Sequence, residues 1–200
     1  MLESQQGKIK LAIWTDSNGK EKTISINDYN AFLKKHDKNN IGDFLYNRLY
    51  SRYLNIILHG HTAYKNGFSI MANCCLLIET LQSFKNGWGD STWKSERAFK
   101  DFFASENNFS IFKSKSNEFY RCIRCGILHQ GETTGGWTIN RKGKKLFNET
   151  ALIIDSIVFA NEMNESLKNY SEKLKSEEWD SETWDNFRIK MRKIIENCDR

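Results

Sequence analysis

Not one of the 200 residues is a proline. Proline ends or kinks helices because it lacks an N–H and clashes with the preceding turn, and an average protein contains about 5% of it. A chain without any is free to run long, uninterrupted helices. With 39% hydrophobic and 28% charged residues, the composition is that of a globular domain with enough length for a proper core. A mainly α-helical fold is expected.

Hydrophobic periodicity places the elements. Residues 8–14 and 22–26 alternate apolar with polar side chains around Asp16-Ser17-Asn18-Gly19, which predicts an N-terminal β-hairpin. Asn27 or Asp28 is expected to cap a short helix over 29–36, with His36 at its C-terminal end. Residues 1–40 are therefore expected to be an appendage to a helical domain over 41–200. A helix over 43–61 carries the stripe Leu45, Leu49, Tyr53, Ile56 and Ile57, with Arg48 and Arg52 four apart on another face. His59 and His61 near its end are read as capping or packing residues.

Residues 68–84 are apolar on nearly every side and predict the central, most buried helix. Its one acid, Glu79, needs a partner, because a carboxylate buried among leucines is costly unless paired. Glu79 is expected either to pair with Arg124 or Arg121 or to point to the wet edge of the bundle. A helix reaching about residue 104 points Phe99, Phe102 and Phe103 inward, and 105–116 is a polar connection. Residues 137–139 and 145–147 flank Asn140-Arg141-Lys142-Gly143 and predict a second hairpin, over about 136–148. One long helix over 149–174 and a last helix capped by Ser181 complete the chain.

Residues 117–137, NEFYRCIRCGILHQGETTGGW, gather the chemistry. A helix here is expected to stop near Gly131. At about 100° per residue, Phe119, Cys122, Ile123, Gly126 and Ile127 share the buried arc. Arg121, Arg124, Cys125, Leu128 and His129 share the other. An imidazole can give or take a proton near neutrality, and a guanidinium can hold a phosphate through paired hydrogen bonds. Arg124 and His129 together suit transfer at an RNA phosphodiester without a metal. The ribose 2′-OH would attack its own phosphate, His129 would handle a proton, and Arg124 would stabilise the growing charge.

Charge distribution agrees. Residues 110–148 hold eight Lys/Arg against two acids, Glu118 and Glu132, within a chain of net charge +5. Such a patch suits a polyanion. Arg141, Lys142, Lys144 and Lys145 at the hairpin tip are expected to touch RNA backbone, and Trp137 is expected either to stack a base or, as tryptophans more often do, to pack in the core. The five cysteines are an odd number, and with no signal peptide the expected compartment is a reducing cytoplasm. Cys122 and Cys125 have CxxC spacing, but no second well-spaced pair completes a zinc site, so no cofactor is expected. No apolar span has transmembrane length.

The string RCGILH, Arg124 to His129, resembles the Arg, four to six residues, His signature of the HEPN superfamily, and the wider RCGILHQGETTGGW is similar to bacterial proteins grouped with those domains. The resemblance implies a HEPN-like helical bundle that forms a homodimer through the motif-helix face, so that two Arg/His pairs share one cleft. It also implies metal-independent endoribonuclease activity in toxin, phage-defence or RNA-processing settings, leaving a 2′,3′-cyclic phosphate, with an antitoxin or regulatory protein as a further partner. Active members usually carry a polar residue after the arginine, where this chain has Cys125. That departure favours the alternative of a non-catalytic module holding RNA, nucleotide or a protein partner. A plain structural role for Arg124 and His129 stands as a third reading.

Overall fold

A computed structural model of the chain describes residues 6–59 and 65–199. The fold is mainly helical with two small sheets, as the absence of proline predicts. In order, the elements are β1 (Lys10–Thr15), β2 (Glu21–Ser25), α1 (Ile26–Lys34) and α2 (Lys38–Leu49, extended by a π-helical turn Tyr50–Leu54 and by Asn55–Leu58). They continue with α3 (Gly67–Lys85), α4 (Ser95–Ser105), a 3-10 stretch Asn107–Lys115, and α5, which comprises Ser116–Phe119, a π-helical turn Tyr120–Cys125 and Gly126–Gln130. Three short strands come next, β3 (Thr138–Asn140), β4 (Phe147–Asn148) and β5 (Ile153–Asp155), then α6 (Ser156–Ser176) and α7 (Glu182–Glu196). The chain divides into two compact units, one of residues 1–52, 83–90 and 167–200, the other of 53–82 and 91–166.

In the first unit, β1 and β2 form the expected antiparallel hairpin. Asp16 closes its turn by accepting the backbone N–H of Asn18 and Lys20, and Gly19 supplies the positive φ of 75°. The register slips between Lys10 and Ala12. The carbonyl of Leu11, at that irregularity, accepts hydrogen bonds from Arg48 and from Arg52 Nη2, the latter at 2.8 Å. The two arginines four apart thus serve the hairpin backbone. The cap of α1 is Ser25, two residues earlier than expected. Its hydroxyl accepts from the N–H of Asp28, and the Asp28 carboxylate accepts from the N–H of Ser25, a reciprocal capping box. Helix α2 likewise starts at Lys38 because Asp37 caps it. His36 lies just beyond α1 with φ 52° and stacks on Trp179 at 4.3 Å. The core of this unit joins Tyr29 to Phe44 at 5.7 Å and Phe84 to Phe187 at 5.6 Å. Buried Trp184 donates its indole N–H to the Leu174 carbonyl.

The second unit is built on aromatic packing. Phe103 packs against Phe109, Phe112 and Phe119, and Phe159 against Phe109, Phe112 and Phe119. The stretch read as a polar connection is thus a 3-10 helix whose Phe109 and Phe112 are fully buried. Helix α3 is the expected central helix, with Ile70, Met71, Cys74, Leu77, Ile78 and Leu81 shielded from water.

The second hairpin needs correction. Its strands β3 and β4 exist but do not pair with each other. β5 lies between them, parallel to β3 and antiparallel to β4. The long helix expected from residue 149 accordingly begins only at Ser156. Leu152 takes a left-handed φ of 53°, a conformation that interrupts a helix and turns the chain into β5. His61 lies outside the described residues, whereas His59 Nδ1 donates to the Asn55 carbonyl at 3.1 Å, as a helix-end residue would.

Asp155 ties this unit's sheet to its last helix. It is 2% exposed. Its Oδ1 accepts the N–H of Ile157 and Val158 at the start of α6, and its Oδ2 accepts the N–H of Lys142 and Gly143 at 2.8 and 2.7 Å. Asp155→Ala orphans these donors and removes a helix cap. It should lower the unfolding free energy by about 2–3 kcal/mol in urea titrations, and a loss below about 0.5 kcal/mol would contradict this role.

Candidate active site

The second unit places Glu79, Arg124 and His129 together. Glu79 is the one acid of α3, and its side chain is 10% exposed. A carboxylate there needs its lone pairs satisfied. Arg124 Nε donates to Oε1 at 2.9 Å, and the hydroxyls of Ser91 and Ser95 each donate to Oε2 at 2.8 Å. The pairing of Glu79 with Arg124 is one of the two pairings expected from sequence. Arg121, the other candidate partner, is exposed.

Arg124 is itself only 17% exposed. Burial works against its charge, but the Glu79 carboxylate and their hydrogen bond more than offset that, so its pKa is raised above the ordinary guanidinium value. The guanidinium lies 5.7 Å from the Tyr120 ring centroid, within cation–π range. Its Nη1 is 3.5 Å from His129 Nε2. For an Arg N–H to donate there, Nε2 must carry the lone pair and Nδ1 the proton.

Local backbone explains the convergence. Arg124 lies in the π-helical turn Tyr120–Cys125, and His129 in the α-turn after it. Wide turns of this kind recur at functional sites because they re-aim side chains within a helix. The predicted inner arc is buried at Phe119, Cys122, Ile123 and Gly126. Gly131 ends the helix in the left-handed conformation, φ 69°. The chain then folds back, and the Thr134 N–H donates to the Cys122 carbonyl at 3.0 Å. A Cβ on Gly126 would sit 2.5 Å from the Glu132 carbonyl oxygen, so glycine permits this return. The string RCGILHQGETTGGW is thus one packed unit.

Cys125 is half-buried beside the pair. Burial and a hydrogen bond with Cys125 raise the Tyr120 phenol above its ordinary value. Cys74 and Cys75 are buried packing residues of α3, and that burial pushes their thiols up. Among the described residues no group of three His, Cys, Asp or Glu side chains is placed to hold a metal ion.

The basic loop comes after β3. Lys142, Lys144 and Lys145 are exposed and Arg141 is half-buried. Trp137 corrects the expectation of a base-stacking residue. It is 2% exposed, with Phe147 stacked on it at 5.0 Å and 10° and Phe119 edge-on at 6.2 Å. Its aromatic faces serve the core. The exposed tryptophan is Trp93, which sequence reasoning does not single out. It is 99% exposed with a left-handed φ of 61°, on the turn between Ser91 and Ser95, the two residues that bind Glu79. A bulky residue in that conformation costs about 1–2 kcal/mol. Its signal in the sequence is only a tryptophan in a polar stretch, GDSTWKSE.

Among the described residues no helix is long and apolar enough to cross a membrane. Glu79→Gln removes the charge that Arg124 faces and should lower stability by about 1.5–3 kcal/mol, measured by chemical unfolding. An unchanged midpoint would show that the pair is not a structural tie.

Comparisons of the chain with protein-family models, with curated proteins and with solved structures give no match.

Proposed function

We propose that the chain is a HEPN-type, metal-independent endoribonuclease whose reaction is carried by Arg124 and His129. The observation that carries the reading is the pair itself. Arg124 is fixed through Nε by Glu79, and Nη1 lies 3.5 Å from the imidazole Nε2. A guanidinium so held can donate to a phosphate without reorganising as charge builds up. The neighbouring imidazole of exposed His129 exchanges its contact with Nη1 for the ribose 2′-OH and takes that proton as the oxygen attacks the adjacent phosphorus. The 5′-oxygen leaves by taking the proton from the imidazolium so formed, and the product ends in a 2′,3′-cyclic phosphate.

Surroundings support this. Trp93 offers an open aromatic face on the turn that anchors Glu79, suited to stacking an unpaired base. Leu128, 41% exposed one turn beyond Arg124, and Leu76, 43% exposed one turn before Glu79, supply apolar surface for a second copy, the homodimer that the family resemblance implies. The lysines after β3 suit RNA backbone. An antitoxin or regulatory protein fits the same proposal as the partner that silences such an activity.

The shielding of Arg124 favours a second reading, a module of the same fold that binds RNA without cutting it, with Cys125 in place of the usual polar residue. The two separate in one experiment. Purified protein is incubated with mixed-sequence RNA in EDTA, and wild type is compared with Arg124→Ala and His129→Ala. Cyclic-phosphate products from wild type, reduced roughly 10²–10⁴-fold by either substitution, are the expected result. Salt-sensitive binding without cleavage by any of the three would overturn the enzyme in favour of the module.

A further inference from the structure

The first unit holds a cleft where α1 and α7 meet. Tyr29 and Leu33 stand four apart on one face of α1, and Arg188, Arg192 and Ile195 recur at helical spacing on α7. With Glu196 and others they line a cavity of about 320 Å³, at the small end of the roughly 300–1,000 Å³ found for ligand sites. Tyr29 is its fixed point. The ring lies 5.7 Å from Phe44 of α2 and 6.4 Å from Phe187 of α7, so packing on both sides sets where the phenol stands.

That hydroxyl is the feature to explain. Tyr29 is 2% exposed, and among the described residues its hydroxyl has no hydrogen-bond partner. Burying a hydroxyl without one is costly. Burial pushes the phenol up, against the opposing pull of Arg188 and Arg192, so near neutral pH the oxygen keeps its proton and is a donor. Both guanidiniums act on it, and both line the cleft, which places the oxygen at the arginine side of the cavity.

Charge balance sets what the cleft can take. Arg188 is already engaged, donating from Nη2 to Asp185 Oδ1 at 2.7 Å and from Nη1 to the Trp179 carbonyl at 3.0 Å. The Glu196 carboxylate lies 3.4 Å from Lys193 Nζ. Arg192 is exposed and, among the described residues, has no ion-pair partner. One such cation beside one unused donor answers a single negative charge spread over acceptor oxygens. A phosphate monoester carries a second charge, or most of one, that no further lining cation is left to meet. Leu33 and Ile195 add apolar surface. We propose that the cleft binds a small monocarboxylic acid with a compact apolar body, the carboxylate held by the Tyr29 hydroxyl and the Arg192 guanidinium and the body set between Leu33 and Ile195. Arg124 and His129 belong to the other unit, and this site stands whether or not the chain cuts RNA.

Calorimetric titration of the full chain with benzoate tests it, with benzamide as the uncharged control and phenyl phosphate as the control of higher charge. Benzoate should bind wild type saturably at millimolar concentration or below, and more tightly than either control. Tyr29→Phe keeps the ring and its packing and should weaken benzoate binding by about tenfold. The melting temperature of the free variant should be unchanged or higher, because the hydroxyl it removes has no partner to lose. Arg192→Gln should weaken binding by about tenfold as well. No saturable binding of benzoate by wild type, equal binding by Tyr29→Phe, or a control bound as tightly as benzoate would overturn the proposal. A marked fall in the melting temperature of Tyr29→Phe would also overturn it, by giving the hydroxyl a structural role.

Discussion

The ion pair of Glu79 and Arg124 sets the geometry of the candidate site. Two opposite charges 2.9 Å apart and mostly out of water are not strongly stabilising in themselves, because desolvation consumes much of their attraction. Their importance lies in their interdependence, since removing either leaves the other charged and buried. Ser91 and Ser95 complete the arrangement by satisfying the second carboxylate oxygen. A satisfied network of this kind fixes one helix register where an apolar contact would allow several. It also commits Nε of Arg124 to structure and holds Nη1 near His129.

Holding a cation so close to the imidazole requires a helix that departs from regular winding. The π-helical turn Tyr120–Cys125 contains the arginine and ends before Gly126. Gly126 and the left-handed Gly131 then allow residues 131–134 to fold back over the helix. Phe119 anchors the near end in the aromatic core. Each of these features is local, and together they deliver Arg124 and His129 to one point.

Much of this is legible in the sequence. A nearly uniform apolar run reads as a buried helix, and a lone acid inside it calls for a cation, so α3 can be read directly and the partner of Glu79 narrowed to Arg124 or Arg121. The N-terminal hairpin is equally plain, because alternation and an Asp-Ser-Asn-Gly turn are short-range signals. The features that escape such reading are non-local. β5 has three residues, and its flanking TALIIDS reads as the start of an amphipathic helix. Only pairing with β3 and β4 makes it a strand, and nothing in its own sequence announces that. Trp137 can be read to stack a base or to pack in a core, and what decides for the core is Phe147, ten residues on. Ser91 and Ser95 carry no signal of their own, and their role appears only when α4 is seen against Glu79. Trp93 escapes notice because a left-handed backbone at a non-glycine residue has no sequence signature.

In the proposed reaction Arg124 does two jobs through different nitrogens, with Nε bound to Glu79 and the Nη edge presented to the reacting phosphate. Arg124→Lys separates them, because an ammonium can pair with the Glu79 carboxylate but cannot present a second, fork-shaped edge. RNA cleavage and chemical unfolding should be measured on the same preparation of this variant. A folded protein that has lost cleavage is the expected result. Cleavage at the wild-type rate by the lysine variant would contradict it.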